Sequence, residues 1–300
     1  MNFSGLFVPL ITPFTEDGRP AYDVLAKLAN EVLDAGATGI VALGTTAEPA
    51  TLTVAERREV VTVCTQVCLE RGAPLIVGTG TNATADSERE LVALDPRIAG
   101  ALTVVPYYTR PSEAGVIEHF RRLAAASPVP LIIYNVPQRT GRPLAARTLC
   151  QLADIPNVAG FKHAVGAVDE ATIGLLAAVA DRTAVLCGDD LYAAPQLALG
   201  ARGAILTCAN VAPNAYAELV AAWREGRIDV ARRYGNALVD VARALFAEPN
   251  PVVVKGVLAA RGRIPSAAVR LPLLPAGDES TAAALAALDV MYDAVRTAHR

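Results

Sequence analysis

Eight short, almost unbroken apolar runs, bounded by Gly or Pro and separated by longer amphipathic stretches, constrain this chain more than any other feature. They cover residues 6–11, 39–43, 75–78, 100–105, 130–134, 158–161, 183–187 and 203–206. Strands that alternate apolar and polar residues have one wet face, whereas continuous runs mark strands covered on both faces, as in a parallel sheet flanked by helices. The segments between the runs read as helices. Thr53 followed by Glu56 has the spacing of a capping box, and Val24, Leu25, Leu28, Val32 and Leu33 make one apolar stripe on the segment 22–33. Eight strands with intervening helices predict an α/β fold, a closed (β/α)8 TIM barrel with a C-terminal helical appendage. An open doubly wound sheet would carry a nucleotide fingerprint. Gly78-Thr79-Gly80 lacks the third glycine and the Lys-Ser/Thr ending, so it reads as a tight turn. The expected organisation is a catalytic barrel over 1–210, with 211–300 forming helices packed on it, the last barrel helix among them.

Composition narrows the function classes. With 300 residues, 53% of them hydrophobic and 19% charged, a large core can be buried. A net charge of −3 provides no positive field for phosphate backbones or anionic lipid, which argues against a nucleic-acid partner. Pro, Gly or charged residues break every apolar stretch before the roughly 20 residues a membrane-spanning helix needs. The first residues have no basic region ahead of their apolar run and do not read as a secretory signal. Five scattered cysteines fit reduced thiols and a cytoplasmic location. Cys64 and Cys68, four apart on a helical pattern, read as buried packing, since no His or second Cys pair accompanies them.

In such a barrel the chemistry sits at the carboxyl ends of the strands. The second run ends in Gly44-Thr45-Thr46-Ala47-Glu48, the fourth in Pro106-Tyr107-Tyr108, the fifth in Tyr134-Asn135-Val136-Pro137-Gln138-Arg139-Thr140-Gly141 and the sixth in Phe161-Lys162-His163. Lysine occurs only at Lys27, Lys162 and Lys255. Lys27 reads as solvated on a helix face, and Lys255 as a snorkelling stem or a structural ion pair. Lys162 ends an apolar strand, where a low-dielectric wall disfavours the ammonium and frees the amine to attack a carbonyl, as in a Schiff-base lysine. The competing reading is a rim lysine paired with a carboxylate. Tyr134, on the neighbouring strand, offers a phenol for moving protons, or else a core tyrosine bonded to backbone. Thr45 and Thr46 form a nest for a small carboxylate, or else a helix-capping turn. Arg139 offers a planar fork for a second carboxylate, or else a structural ion pair. His119, His163 and His299 suggest no metal pair and no catalytic triad, and His163 should point to the opposite side of its strand from Lys162.

Taken in order, Gly44-Thr45-Thr46-x-Glu48, Pro106-Tyr107-Tyr108, Tyr134-Asn135-Val136-Pro137-x-Arg139-Thr140-Gly141, Gly160-Phe161-Lys162, Gly188-Asp189-Asp190 and Glu248-Pro249-Asn250-Pro251 resemble the pyruvate-dependent class I aldolase superfamily. That superfamily contains N-acetylneuraminate lyase and dihydrodipicolinate synthase, and the motifs resemble the synthase branch. The resemblance implies that Lys162 condenses with pyruvate and that the enamine attacks the aldehyde of aspartate semialdehyde, followed by cyclisation. It implies a proton relay of Tyr134, Thr45 and Tyr108, with Tyr108 reaching a neighbouring subunit. It places Thr46, Gly188 and the Ile205 backbone at pyruvate and Arg139 at the semialdehyde carboxylate. No cofactor and no metal are implied, and the family's usual assembly is a homotetramer built from tight dimers.

Ala47 stands where the family has glycine, Pro49 where serine is common and His163 where an acidic residue is common, so a stiffer turn is expected. In lysine-inhibited members the effector pocket includes positions matching Pro49, Arg57, Asn82, Asp86 and Tyr107. Arg57 brings a second cation near a lysine ammonium, which implies weak or absent feedback. Two alternatives stay open: a pyruvate-dependent lyase or aldolase acting on a sugar acid or related 2-oxo acid, and a non-catalytic 2-oxo acid sensor.

Overall fold

The computed structural model describes residues 3–296, so His299 lies outside the described residues. The strands are β1 (Gly5–Pro9), β2 (Gly39–Ala42), β3 (Leu75–Thr79), β4 (Gly100–Val104), β5 (Leu131–Asn135), β6 (Val158–His163), β7 (Ala184–Cys187) and β8 (Gly203–Ile205). They close into a barrel in chain order, with parallel pairing. The helices are α1 (Tyr22–Asp34), α2 (Val54–Arg71), α3 (Thr84–Val92), α4 (Glu113–Ala126), α5 (Pro137–Thr140), α6 (Ala146–Ala153), α7 (Glu170–Val179), α8 (Ala193–Ala198), α9 (Pro213–Arg224), α10 (Ile228–Leu245), α11 (Val252–Ala260) and α12 (Asp278–Arg296).

The strands fall where the apolar runs predict them, with shifts at the ends that have physical causes. The first run stops pairing at Pro9 rather than at Ile11, because the Ile11 N–H donates to the Asn210 Oδ1 (3.2 Å) instead of to a strand. The sixth runs two residues past Phe161, because Lys162 and His163 stay in register with Tyr134 and Asn135 on one side and Leu186 and Cys187 on the other. Every residue of β2, β5 and β7 is buried, as strands covered on both faces must be.

The chain divides into two compact units. One holds Pro74–Ile205 and the start of the chain through Gly5, whose N–H donates to the Arg202 carbonyl (3.1 Å). Here β3 to β8 are lined outside by helices, with α3 packed on α4 and α6 on α7. Leu91, Val116, Phe120, Leu149 and Leu175 form the helical side of this core, each fully buried.

The second unit holds Leu6–Ala73 and the chain from Leu206 onward. The α1 stripe is narrower than expected: Leu25, Leu28, Ala29 and Val32 are buried at i, i+3, i+4 and i+7, and Val24 and Leu33 only half so. Thr53 and Glu56 cap α2 reciprocally, as their spacing predicts. In the carboxyl-terminal part α10 packs on α9 and α12, and α11 on α12. No helix among the described residues is long and apolar enough to cross a membrane.

Candidate active site

Lys162 and Tyr134 are register partners on β6 and β5. Register partners in a parallel sheet project side chains to one face about 4.8 Å apart, and the Lys162 Nζ accordingly lies 4.3 Å from the centre of the Tyr134 ring. Both are buried, Lys162 at 4% exposure. A cation over an aromatic face is attracted to it, so the ring sets where the amine sits. Gly188, just beyond β7, adds to this pair by what it lacks. A Cβ there would fall 2.8 Å from the Lys162 Cγ and 3.0 Å from its Cε. Gly188→Ala is therefore expected to push the lysine stem aside and slow borohydride trapping of a pyruvate adduct by roughly 10-fold or more, since an ångström of misplacement can cost on the order of 100-fold. An unchanged trapping rate would show that the stem has room to spare.

Asp189 follows on the same loop. Burial raises its carboxyl pKa, opposed by the Gly166 N–H, which donates to it, and by the charge of Lys162. Gln138, next to Arg139 on α5, donates from its Nε2 to the Val165 carbonyl at 3.3 Å. The loops after β5, β6 and β7 are thus hydrogen-bonded in series. Arg139 is exposed, and so is Tyr108, at 88% and with a φ of 68° that a bulky side chain rarely adopts. Ile205 ends β8 fully buried.

In the other unit, Thr45, Thr46 and Ala47 form a single 3₁₀ turn after β2. Thr46 is buried, and its hydroxyl lies 3.0 Å from that of Thr207 and accepts from the Asn250 Nδ2 at 3.0 Å. Thr45 is half-buried beside it. Thr207 is not marked by the sequence, since a polar side chain after an apolar strand run is too common a pattern, and Asn250 stands in the motif Glu248-Pro249-Asn250-Pro251 without an assigned partner.

His163 points away from Lys162, as strand alternation predicts. Its Nε2 lies 2.9 Å from the Thr172 Oγ1, whose proton goes to the Asp169 Oδ1 at 2.8 Å, so Nε2 carries the hydrogen. The bare Nδ1 then accepts from the Asn135 Nδ2 at 3.3 Å. Burial pulls the His163 pKa down to about 4, with Asp169 opposing, and burial likewise pulls His119 down to about 4. A histidine held neutral in the fold but protonated when unfolded stabilises the protein above pH 6.5, and that stability drains away as the pH falls toward about 4. For His163 alone the loss is ~3 kcal/mol. Denaturant unfolding between pH 7 and pH 4 should show this slope, and His163→Gln should remove about half of it, His119 keeping the rest. A wild-type stability that is level across that window would contradict the buried neutral tautomer.

Lys255 is an ion pair rather than a snorkelling stem. Its Nζ is 2.6 Å from the Glu48 Oε1, with both side chains sealed from solvent. Burial lowers its pKa to about 8 against the pull of Glu48. Lys27 is exposed, 3.9 Å from Glu31. Of the three lysines, Lys162 joins an apolar wall to an amine that makes no salt bridge among the described residues, at a strand end. Cys64 and Cys68 are buried thiols whose pKa values burial pushes up. Among the described residues no group of three or more His, Cys, Asp or Glu is placed to hold a metal.

Comparison with known proteins agrees with this geometry. The dihydrodipicolinate synthetase family matches residues 2–290. The 4-hydroxy-tetrahydrodipicolinate synthase of Methanothrix thermoacetophila is 38% identical over 296 residues, covering 97% of this chain and 98% of its own length. That of Moorella thermoacetica is 40% identical over 291 residues, covering 96% and 98%. Among solved structures, the synthase of Methylacidiphilum fumariolicum SolV superposes with a TM-score of 0.93 at 31% identity, covering 99% of this chain and 98% of its own. The chloride-inhibited dihydrodipicolinate synthase of Acinetobacter baumannii, solved with pyruvate, has a TM-score of 0.92 at 36% identity, covering 96% and 99%. A family match running almost from end to end, on a barrel that carries a buried strand-end lysine against a tyrosine, makes this chain a member of the dihydrodipicolinate synthetase family.

Proposed function

We propose that this chain is a 4-hydroxy-tetrahydrodipicolinate synthase, a Schiff-base lyase that condenses pyruvate with L-aspartate 4-semialdehyde on the route to lysine and diaminopimelate. The observation that carries the reading is the buried Lys162 amine over the Tyr134 ring at a strand end. The Lys162 Nζ attacks the pyruvate C2 carbonyl, and loss of water from the carbinolamine gives the imine. Loss of a C3 proton gives the enamine, whose carbon bonds to the semialdehyde aldehyde; the semialdehyde's amino group then attacks the imine carbon and expels the Lys162 amine as the ring closes. Tyr134 and Thr45 move these protons together with Tyr108, whose exposure and strained backbone support service to a neighbouring subunit. Thr46, Gly188 and the Ile205 backbone hold pyruvate, and the exposed Arg139 fork takes the semialdehyde carboxylate.

The sugar-acid reading is disfavoured because a polyhydroxyl chain calls for hydroxyl and amide partners where Arg139 offers a carboxylate fork. The sensor reading is disfavoured because binding alone requires no proton relay. The protein works in the cytoplasm as a tetramer of paired dimers, a reading supported by its free thiols and by Tyr108. A structural relative at 29% identity is described as a monomeric dihydrodipicolinate synthase variant, so assembly varies among such proteins. Borohydride reduction with pyruvate, mapped by peptide mass spectrometry and followed by turnover with aspartate semialdehyde, tests the proposal. An adduct at Lys162 with turnover is expected. No adduct would end the Schiff-base reading, and an adduct without turnover would point to another aldehyde.

A further inference from the structure

We propose that Glu48 and Lys255 are positioning residues for pyruvate: their buried ion pair anchors the Thr45–Thr46 turn to α11 and, through Ala268 and Arg270, to the segment that follows it, making both part of the substrate-binding apparatus. The proposal rests on the reading that Thr46 holds the pyruvate carboxylate.

Glu48 joins the 3₁₀ turn of Thr45–Ala47 to a second one, Pro49–Thr51, and does so in the left-handed region, at a φ of 55°. A residue with a Cβ is strained there, so the junction holds only if its surroundings dictate it. They do so through both carboxylate oxygens. Oε1 accepts from the Lys255 Nζ at 2.6 Å and Oε2 accepts from the Arg270 N–H at 2.9 Å. The Lys255 ammonium also donates to the Ala268 carbonyl at 2.8 Å and stands 3.9 Å from the centre of the Phe14 ring. The Arg270 side chain grips the far end of the same loop. Its guanidinium takes both oxygens of Glu56 (2.6 and 2.8 Å) and donates to the Thr51 carbonyl at 2.8 Å and to that of Gly18 at 2.9 Å. The chain that leaves the turn bearing Thr45 and Thr46 is thus held at Glu48, and again at Thr51 and Glu56, by one stretch of chain more than 200 residues away in sequence.

Stability alone does not account for this arrangement. A buried ion pair gains little over well-packed apolar residues of the same volume, because desolvation cancels most of the attraction. What it supplies is register. Once the ammonium is fixed by Ala268 and Phe14, the carboxylate has one place to be, and the backbone two residues earlier carries the Thr46 hydroxyl and N–H to a fixed position.

Lys255→Met is the test, read by steady-state kinetics and by the pyruvate dependence of borohydride trapping, with thermal unfolding in parallel. The expected result is a KM for pyruvate and a half-saturation for trapping raised by roughly 10-fold, about 1.4 kcal/mol of ground-state binding. The kcat at saturating pyruvate and the KM for the semialdehyde should stay within about 3-fold. A folded variant with a lowered melting temperature and an unchanged pyruvate KM would overturn the proposal, leaving a purely structural pair. If Lys255→Met does not fold, Glu48→Gln decides, because it removes the ion pair and keeps an acceptor for the Arg270 N–H: a several-fold rise in the pyruvate KM supports the proposal and no change sinks it. Thr46→Val separates the two levels. If it leaves the pyruvate KM unchanged, the carboxylate reading has failed. If it raises that KM while the folded Lys255 and Glu48 variants do not, only the positioning role has failed.

Discussion

Lys162→Ala is expected to abolish the borohydride-trapped pyruvate adduct and to lower kcat by on the order of 10³-fold or more, because removing a covalent nucleophile removes the pathway rather than weakening one contact. The fold should survive. The β6 backbone keeps its pairing with β5 and β7 whatever side chain stands at 162, and the space vacated lies between the Tyr134 ring and Gly188, with an expected cost of about 1–3 kcal/mol. The variant also tests the assignment of roles among the lysines. Lys255 cannot substitute, since its nitrogen is sealed from solvent and held by Glu48 and Ala268, and Lys27 lies on a helix exterior. Peptide mass spectrometry that finds a persistent adduct at either position would overturn the assignment.

Tyr134→Phe should cost roughly 10²- to 10³-fold in kcat, the usual range for losing a positioned proton donor or acceptor. The substitution is informative because it removes one oxygen and keeps the ring over which the Lys162 Nζ sits. Amine placement is therefore preserved, and the pyruvate adduct should still be trapped, though more slowly, while turnover with the semialdehyde collapses. Turnover within about 3-fold of wild type would remove Tyr134 from proton transfer and leave it a packing role beneath the lysine.

The barrel was legible in the sequence because its signal is local. Strands buried on both faces need no polar residues, so each run announces itself, as Leu131–Asn135 does with five buried residues in a row. Lys162 stood out for the complementary reason, a charge at the end of such a run. The alternation of strand side chains also gave the direction of His163, but not its partners, because nothing in the spacing of Thr172 and Asn135 marks them as neighbours of one imidazole.

The least legible feature was the pairing of Glu48 with Lys255. Lys255 reads as a snorkelling stem or a structural ion pair with no partner named, and its meeting with Glu48 depends on how a turn after the second strand and a helix near the end of the chain come together in three dimensions. Asn250 was hidden similarly. It appeared within a quoted motif, but its bond to the Thr46 hydroxyl spans 204 positions.

The nested layout of the two units has a consequence for how the enzyme is made. All of Pro74–Ile205 is one continuous stretch, and domains form as units from the amino-terminal side while the ribosome is still elongating. The strands that carry Lys162 and Tyr134 are therefore translated before Asn250, Lys255 and Arg270. The threonine turn is not anchored until they emerge. On the proposed assignment, a nascent chain released before residue 250 would carry Lys162 and Tyr134 without the ties that fix the threonine turn, so translation of the segment holding Asn250, Lys255 and Arg270 completes the pyruvate grip.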